Sequence, residues 1–141
     1  MWKACSGGEE KNRQQASGSL DSMRFSSLRA RSLRCFSAID YTPAPRVNLI
    51  SGPNGSGKTS LLEAMHLVSS GKSFLTPKVG DLLKQGADVL CVEARAQDIT
   101  NYGLADITVR KSRSDTEIRF DGQLVTSASA LARHMPLLVV N

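Results

Sequence analysis

Apolar and polar residues alternate with period two near the start of the patterned chain. Leu28, Ala30 and Ser32 fall on one face and Arg29 and Arg31 on the other, before Leu33 and Phe36. Alternation of this kind marks a half-buried β-strand. A second strand over residues 37–41 follows, ended by Pro43 and Pro45, because proline cannot donate to a ladder. Val47, Leu49 and Ile50 then form a short apolar run between Pro45 and Gly52, the pattern of a buried parallel strand. From residue 59 the period becomes helical. Leu61, Leu62, Met65 and Val68 recur at helix spacing through residue 69, with Glu63 and His66 turned to the other side, and Gly71 is placed to end the helix. A short helix over residues 79–84, stopped by Gly86, leads to strands over residues 89–96, 103–111 and 116–120. Asp121-Gly122, a hairpin turn pair, joins the last of these to residues 123–125. This stretch predicts an antiparallel meander. Ser127 is a cap for a helix over residues 128–134, and Leu137 to Val140 read as a further buried strand.

Residues 1–22 differ from the rest, being rich in Ser, Gly, Gln and charge with Trp2 and Leu20 nearly their only large apolar side chains. They read as a disordered extension, and Met23 is a second candidate start. The 141 residues suit one domain. The formal charge of +5 falls entirely in residues 23–141, because the charges of the extension cancel. An anionic partner fits that balance without being identified by it. Cys5, Cys35 and Cys91 are widely spaced, with no C-x-x-C pair. They suggest neither a disulfide framework nor a zinc site, and Cys35 and Cys91 read as small core residues of a protein kept reduced. No apolar run is long enough to span a bilayer and no secretory h-region opens the chain, so a cytoplasmic location without a membrane partner is the expectation.

Between the expected strand and helix stands Gly52-Pro53-Asn54-Gly55-Ser56-Gly57-Lys58-Thr59, which fits G-x-x-x-x-G-K-[ST] at every fixed position. Glycines let the backbone curl with positive φ and approach phosphate oxygens closely. Amides of the loop and of the helix start then form an anion nest. Lys58 is expected on the β- and γ-phosphates of ATP, Thr59 on Mg²⁺, and Asn54 through Gly57 as backbone amide donors. The fold class that follows is α/β: a P-loop NTPase portion of ATP-binding-cassette type with an added antiparallel β-meander. Arg29 with Arg31, or Arg110 with Lys111 and Arg113, are candidates for DNA phosphates. Phe36 and Tyr41 are candidates to stack on adenine. His66 and His134 have no nucleophile to pair with.

The loop followed by Ser60-Leu61-Leu62-Glu63-Ala64, the spacing Leu28-x-x-x-x-Leu33-x-x-Phe36, Gly71-Lys72-Ser73-Phe74 and Arg133-His134-Met135-Pro136 together resemble the amino-terminal part of the RecF family. These are bacterial recombination-repair ATPases related to SMC heads. The resemblance covers residues 23–141. It implies an ATP- and DNA-binding protein acting at gapped or single-stranded DNA, working with RecR and RecO to load RecA, and dimerising on ATP. Two positions depart from that pattern. Ser37 and Ala38 stand where the family usually has Arg-Asn after the phenylalanine, and Leu75 stands where it often has arginine. Relatives continue with a signature motif, an acidic Walker B strand and a switch histidine. Leu137 to Val140 is followed by Asn141 and supplies no carboxylate. Nucleotide binding is therefore expected of this chain and hydrolysis only of the full-length family, the chain reading as a truncated portion of a longer protein. The rival readings are an ATP-binding transporter subunit and an inactive P-loop remnant.

Overall fold

The computed structural model describes residues 23–98, 103–127, 129, 131–132 and 135–140. The expected extension over residues 1–22 lies outside them, as does most of the expected helix over residues 128–134. The elements are β1 (Met23–Leu33), β2 (Phe36–Tyr41), α1 (Lys58–Ser70), α2 (Val79–Leu82), β3 (Val89–Asp98), β4 (Leu104–Ser112), β5 (Thr116–Phe120) and β6 (Gln123–Leu124). The six strands form one sheet in the order β2-β1-β3-β4-β5-β6, and every neighbouring pair is antiparallel. The expected meander is present, with β1 and β2 added along its β3 edge.

Strict alternation gives the sheet one dry face. Leu28, Ala30, Leu90, Val92, Ala94, Ile107, Val109 and Ile118 are buried there against Leu61, Ala64, Leu67 and Val68 of α1. Each large aliphatic side chain so covered contributes about 1.5–3 kcal/mol relative to exposure. On the opposite face Arg29 pairs with Asp40 at 2.8 Å, Arg95 with Asp106 at 2.7 Å, and Arg119 with Glu117. The Arg95 hydrogen bond holds the Asp106 carboxyl below its ordinary value, as the Arg119 hydrogen bond does for Glu117. Asp121 and Gly122 turn between β5 and β6 with φ of 49° and 77°, the left-handed pair that a two-residue hairpin requires. Gly71 ends α1 at φ 69°, its N–H donating to the Leu67 carbonyl.

Two expected core strands do not form. Residues 46–51 have no strand pairing among the described residues, and Val47 and Leu49 are 80% and 73% exposed. A parallel strand needs neighbours to satisfy its backbone, and the antiparallel sheet offers none at this place. The segment is instead held by Asn48, whose Oδ1 accepts the Ala44 N–H at 2.7 Å and the Tyr41 hydroxyl at 2.9 Å. Its Nδ2 donates to the Ala44 carbonyl. Local amide bonds of this kind compete directly with a ladder. Leu138 and Val140 are likewise outside any strand and exposed.

Candidate functional site

The loop from Gly52 to Thr59 joins the Asn48-clamped segment to α1. Gly55 and Gly57 take φ of 79° and 95°, a region that side-chain-bearing residues enter at a cost. Gly57 is the residue preceding α1 and carries no side-chain cap, and the first turn of the helix contains no acidic residue. The helix therefore opens onto the loop with donors and a positive dipole end that no cap and no first-turn carboxylate offsets. Lys58 Nζ donates to the Gly52 and Pro53 carbonyls, both at 2.8 Å, which places its ammonium across the mouth of the loop. The Ser56 hydroxyl is buried without a hydrogen-bond partner among the described residues, and Thr59 is exposed.

Beneath the loop lies Phe36, the first residue of β2. A Cβ on Gly57 would stand 2.5 Å from Phe36 Cζ and 2.9 Å from Cys35 Sγ, whereas a Cβ on Gly55 would meet nothing within 4 Å. Phe36 is thus a floor for the loop's last glycine and packs on the core. Tyr41 is committed to Asn48. Cys35, expected in the core, is exposed beside the loop, its Sγ 3.8 Å from the Ser60 hydroxyl. The two-residue turn between β1 and β2 leaves its side chain no interior to enter.

One turn along α1 the structure departs most from the sequence expectation. Glu63 does not face solvent; it is fully buried. The Arg34 guanidinium donates to it twice, from Nε to Oε2 and from Nη2 to Oε1 at 2.9 Å, and the Ser73 hydroxyl donates to Oε1. This hydrogen bonding raises the Arg34 pKa above its ordinary value, the Glu63 bond being the largest cause. Arg34 sits at φ 50° in the β1–β2 turn, and its N–H and Nη1 donate to the Leu82 and Asp81 carbonyls. The buried pair ties the loop's helix to the β1–β2 turn and to the start of the 72–77 segment. The signal was present: Ser60, Glu63, Ala64 and Leu67 follow i, i+3, i+4, i+7 spacing.

The cation candidates separate. Arg29 is engaged by Asp40, and Arg113 lies 3.9 Å from Asp88. Arg110 is on the solvent face, while Lys111 points inward and is 8% exposed, so Arg110, Lys111 and Arg113 do not form one cluster. His66 stacks edge-on to Phe74 at 5.4 Å and its Nδ1–H donates to the Lys72 carbonyl, which makes it a brace for the end of α1. Residue 134 lies outside the described residues.

A phosphate-loop turn feeding a helix that packs on a β-sheet defines a P-loop NTPase domain. A family model described as AAA domain matches residues 27–128, and the chain belongs to that family. Within it the chain is RecF-like. It is 40% identical over 119 residues to the DNA replication and repair protein RecF of Thioalkalivibrio sulfidiphilus, covering 84% of this chain and 33% of that protein. The solved structure of the recombination mediator protein RecF with ATP superimposes with a TM-score of 0.72 at 25% identity, over 78% of this chain and 30% of that one. A structure from work on SMC ATPases shares the fold, with a TM-score of 0.65 at 18% identity, over 77% and 75% of the two chains. The chain spans about a third of the length of the curated relatives it matches. No helix among the described residues is long and apolar enough to cross a membrane.

Proposed function

We propose that residues 52–59 bind ATP with Mg²⁺, and that the chain is the nucleotide-binding portion of a RecF-type DNA repair and replication protein. One observation carries this reading: an uncapped helix N-terminus opens into a loop whose two left-handed glycines and bridging Lys58 leave space and donors for phosphate. The unpartnered Ser56 hydroxyl fits the same occupant. On binding, Lys58 exchanges its two carbonyl acceptors for β- and γ-phosphate oxygens, and the backbone amides of Asn54 through Gly57 donate to the phosphates. Thr59 supplies one hydroxyl to Mg²⁺, an ion that takes few protein ligands and keeps water and phosphate for the rest. Residues 23–141 then form the amino-terminal part of a larger ATP-binding domain, in keeping with exposed Val47, Leu49, Leu138 and Val140 and with relatives about three times as long. Binding of gapped or single-stranded DNA, RecA loading with RecR and RecO, and ATP-dependent dimerisation belong to the same proposal for the whole protein.

Calorimetric titration of the chain with ATP and Mg²⁺ tests it. Lys58→Ala removes a charge-assisted contact worth about 1.5–3 kcal/mol, so affinity falls by roughly ten- to a hundredfold while circular dichroism stays unchanged. Equal affinity in the variant, or a folded parent that binds no ATP, would remove the loop from this role.

A further inference from the structure

Beyond the end of α1, the 72–77 segment folds over the inner face of the sheet and encloses an open pocket of about 460 Å³. Phe74, Leu75, Pro77 and Leu82 give it apolar walls, and two lysines, Lys72 and Lys111, line it as well. Lys111 is there because β4 alternates: it is in phase with Ala105, Ile107 and Val109, all buried, and pairs in register with Leu90 of β3 and Thr116 of β5. Its ammonium has a hydrogen bond to the Thr116 hydroxyl at 3.3 Å. None of the ion pairs among the described residues includes Lys72 or Lys111.

A largely buried ammonium held by one neutral acceptor is costly. Burial pushes the Lys111 pKa down, and the positive charge of Lys72 pushes it further. Hydrophobic packing alone would be served better by leucine or methionine at this position. Two lysines lining one open space that has no carboxylate among its described lining residues form an arrangement that an anion completes, and the strongest such completion is a phosphate accepting charge-assisted bonds from both. The apolar walls suit the carbon skeleton on which that phosphate is carried.

We propose that this pocket is a second phosphate site, distinct from the 52–59 loop, which holds a phosphate carried by a nucleotide or a nucleic-acid strand between Lys72 and Lys111. The strand as source rests on the DNA-repair reading above; the phosphate chemistry does not.

The test uses the full 141-residue chain carrying Lys58→Ala, so that the first loop contributes no tight phosphate binding. Inorganic phosphate, AMP and a short labelled single strand bearing either a 5′-phosphate or a 5′-hydroxyl are titrated by thermal shift and fluorescence anisotropy. At least one of these probes should bind, with an affinity that falls about tenfold on Lys111→Met and on Lys72→Gln, each removing one charge-assisted bond. Lys111→Met should also raise the melting temperature of the free chain, which shows that its loss of binding is not loss of fold. Response to the strand assigns the source to nucleic acid, and response to AMP or phosphate alone assigns it to a free ligand. If neither substitution changes the affinity for any probe, the pocket is not a phosphate site. That result leaves the ATP reading untouched, because the latter is tested by Lys58→Ala against the parent chain.

Discussion

Replacing Arg34 by methionine should destabilise the fold by about 3–5 kcal/mol at neutral pH, the cost of leaving a buried charge without its partner. Glu63 is fully buried and Arg34 is not, so the guanidinium that leaves could be hydrated and the carboxylate that remains cannot. Ser73 would be its one remaining donor among the described residues. The double variant Arg34→Met with Glu63→Leu should recover most of the stability, since apolar replacements of a buried pair are often neutral or better. Urea denaturation of the four proteins of the cycle measures this. A double variant as unstable as the Arg34 single would show that the pair is not what the single variant loses.

The second large effect is expected at Gly57. Alanine there meets two penalties at once: a left-handed φ of 95°, about 1–2 kcal/mol, and a Cβ 2.5 Å from the Phe36 ring, which as overpacking costs roughly another 1–3 kcal/mol. The loop must shift to escape, and with it the amides proposed to hold phosphate, so ATP affinity should fall at least as far as for Lys58→Ala. Gly55→Ala meets the backbone penalty alone, its Cβ having open space. Denaturation and calorimetry on both variants separate the two terms. Equal losses at the two glycines would mean that Phe36 does not shape the loop.

The parts of this fold that could be read from the sequence are those decided by near neighbours in the chain. Alternation placed Leu28, Ala30 and the four strands of the meander, Asp121-Gly122 announced its hairpin, and the Gly-rich loop with Gly71 bracketed α1 to within a residue. What escaped depends on partners distant in sequence. Val47 and Leu49 have strand-like composition, yet a strand exists only by pairing, and Asn48 offers the segment a local alternative. Glu63 reads as a solvent residue by type, and only its place on the i, i+3, i+4, i+7 stripe hints that Arg34, 29 residues earlier, would bury it. Lys111 matches Arg110 in charge and opposes it in phase. Two residues apart in a strand means the same face, and Val109 had already marked that face as dry.

The order of pairing in the sheet also bears on how quickly the site can come into being. β3 through β6 are joined by short connections and can zip as successive hairpins on about the microsecond scale. β1 reaches β3 only by closing across the intervening residues 34–88, with Arg31 pairing with Cys91 at the near end of the register and Met23 with Asp98 at the far end. That closure has an entropic cost that grows with loop length and belongs to the slow, non-local class of contacts. The 52–59 loop, α1 and the turn bearing Arg34 all lie inside or at the edge of the span. Because α1 packs on β1, β3 and β4 together, the helix that carries the phosphate loop is seated by strands from both sides of that long span.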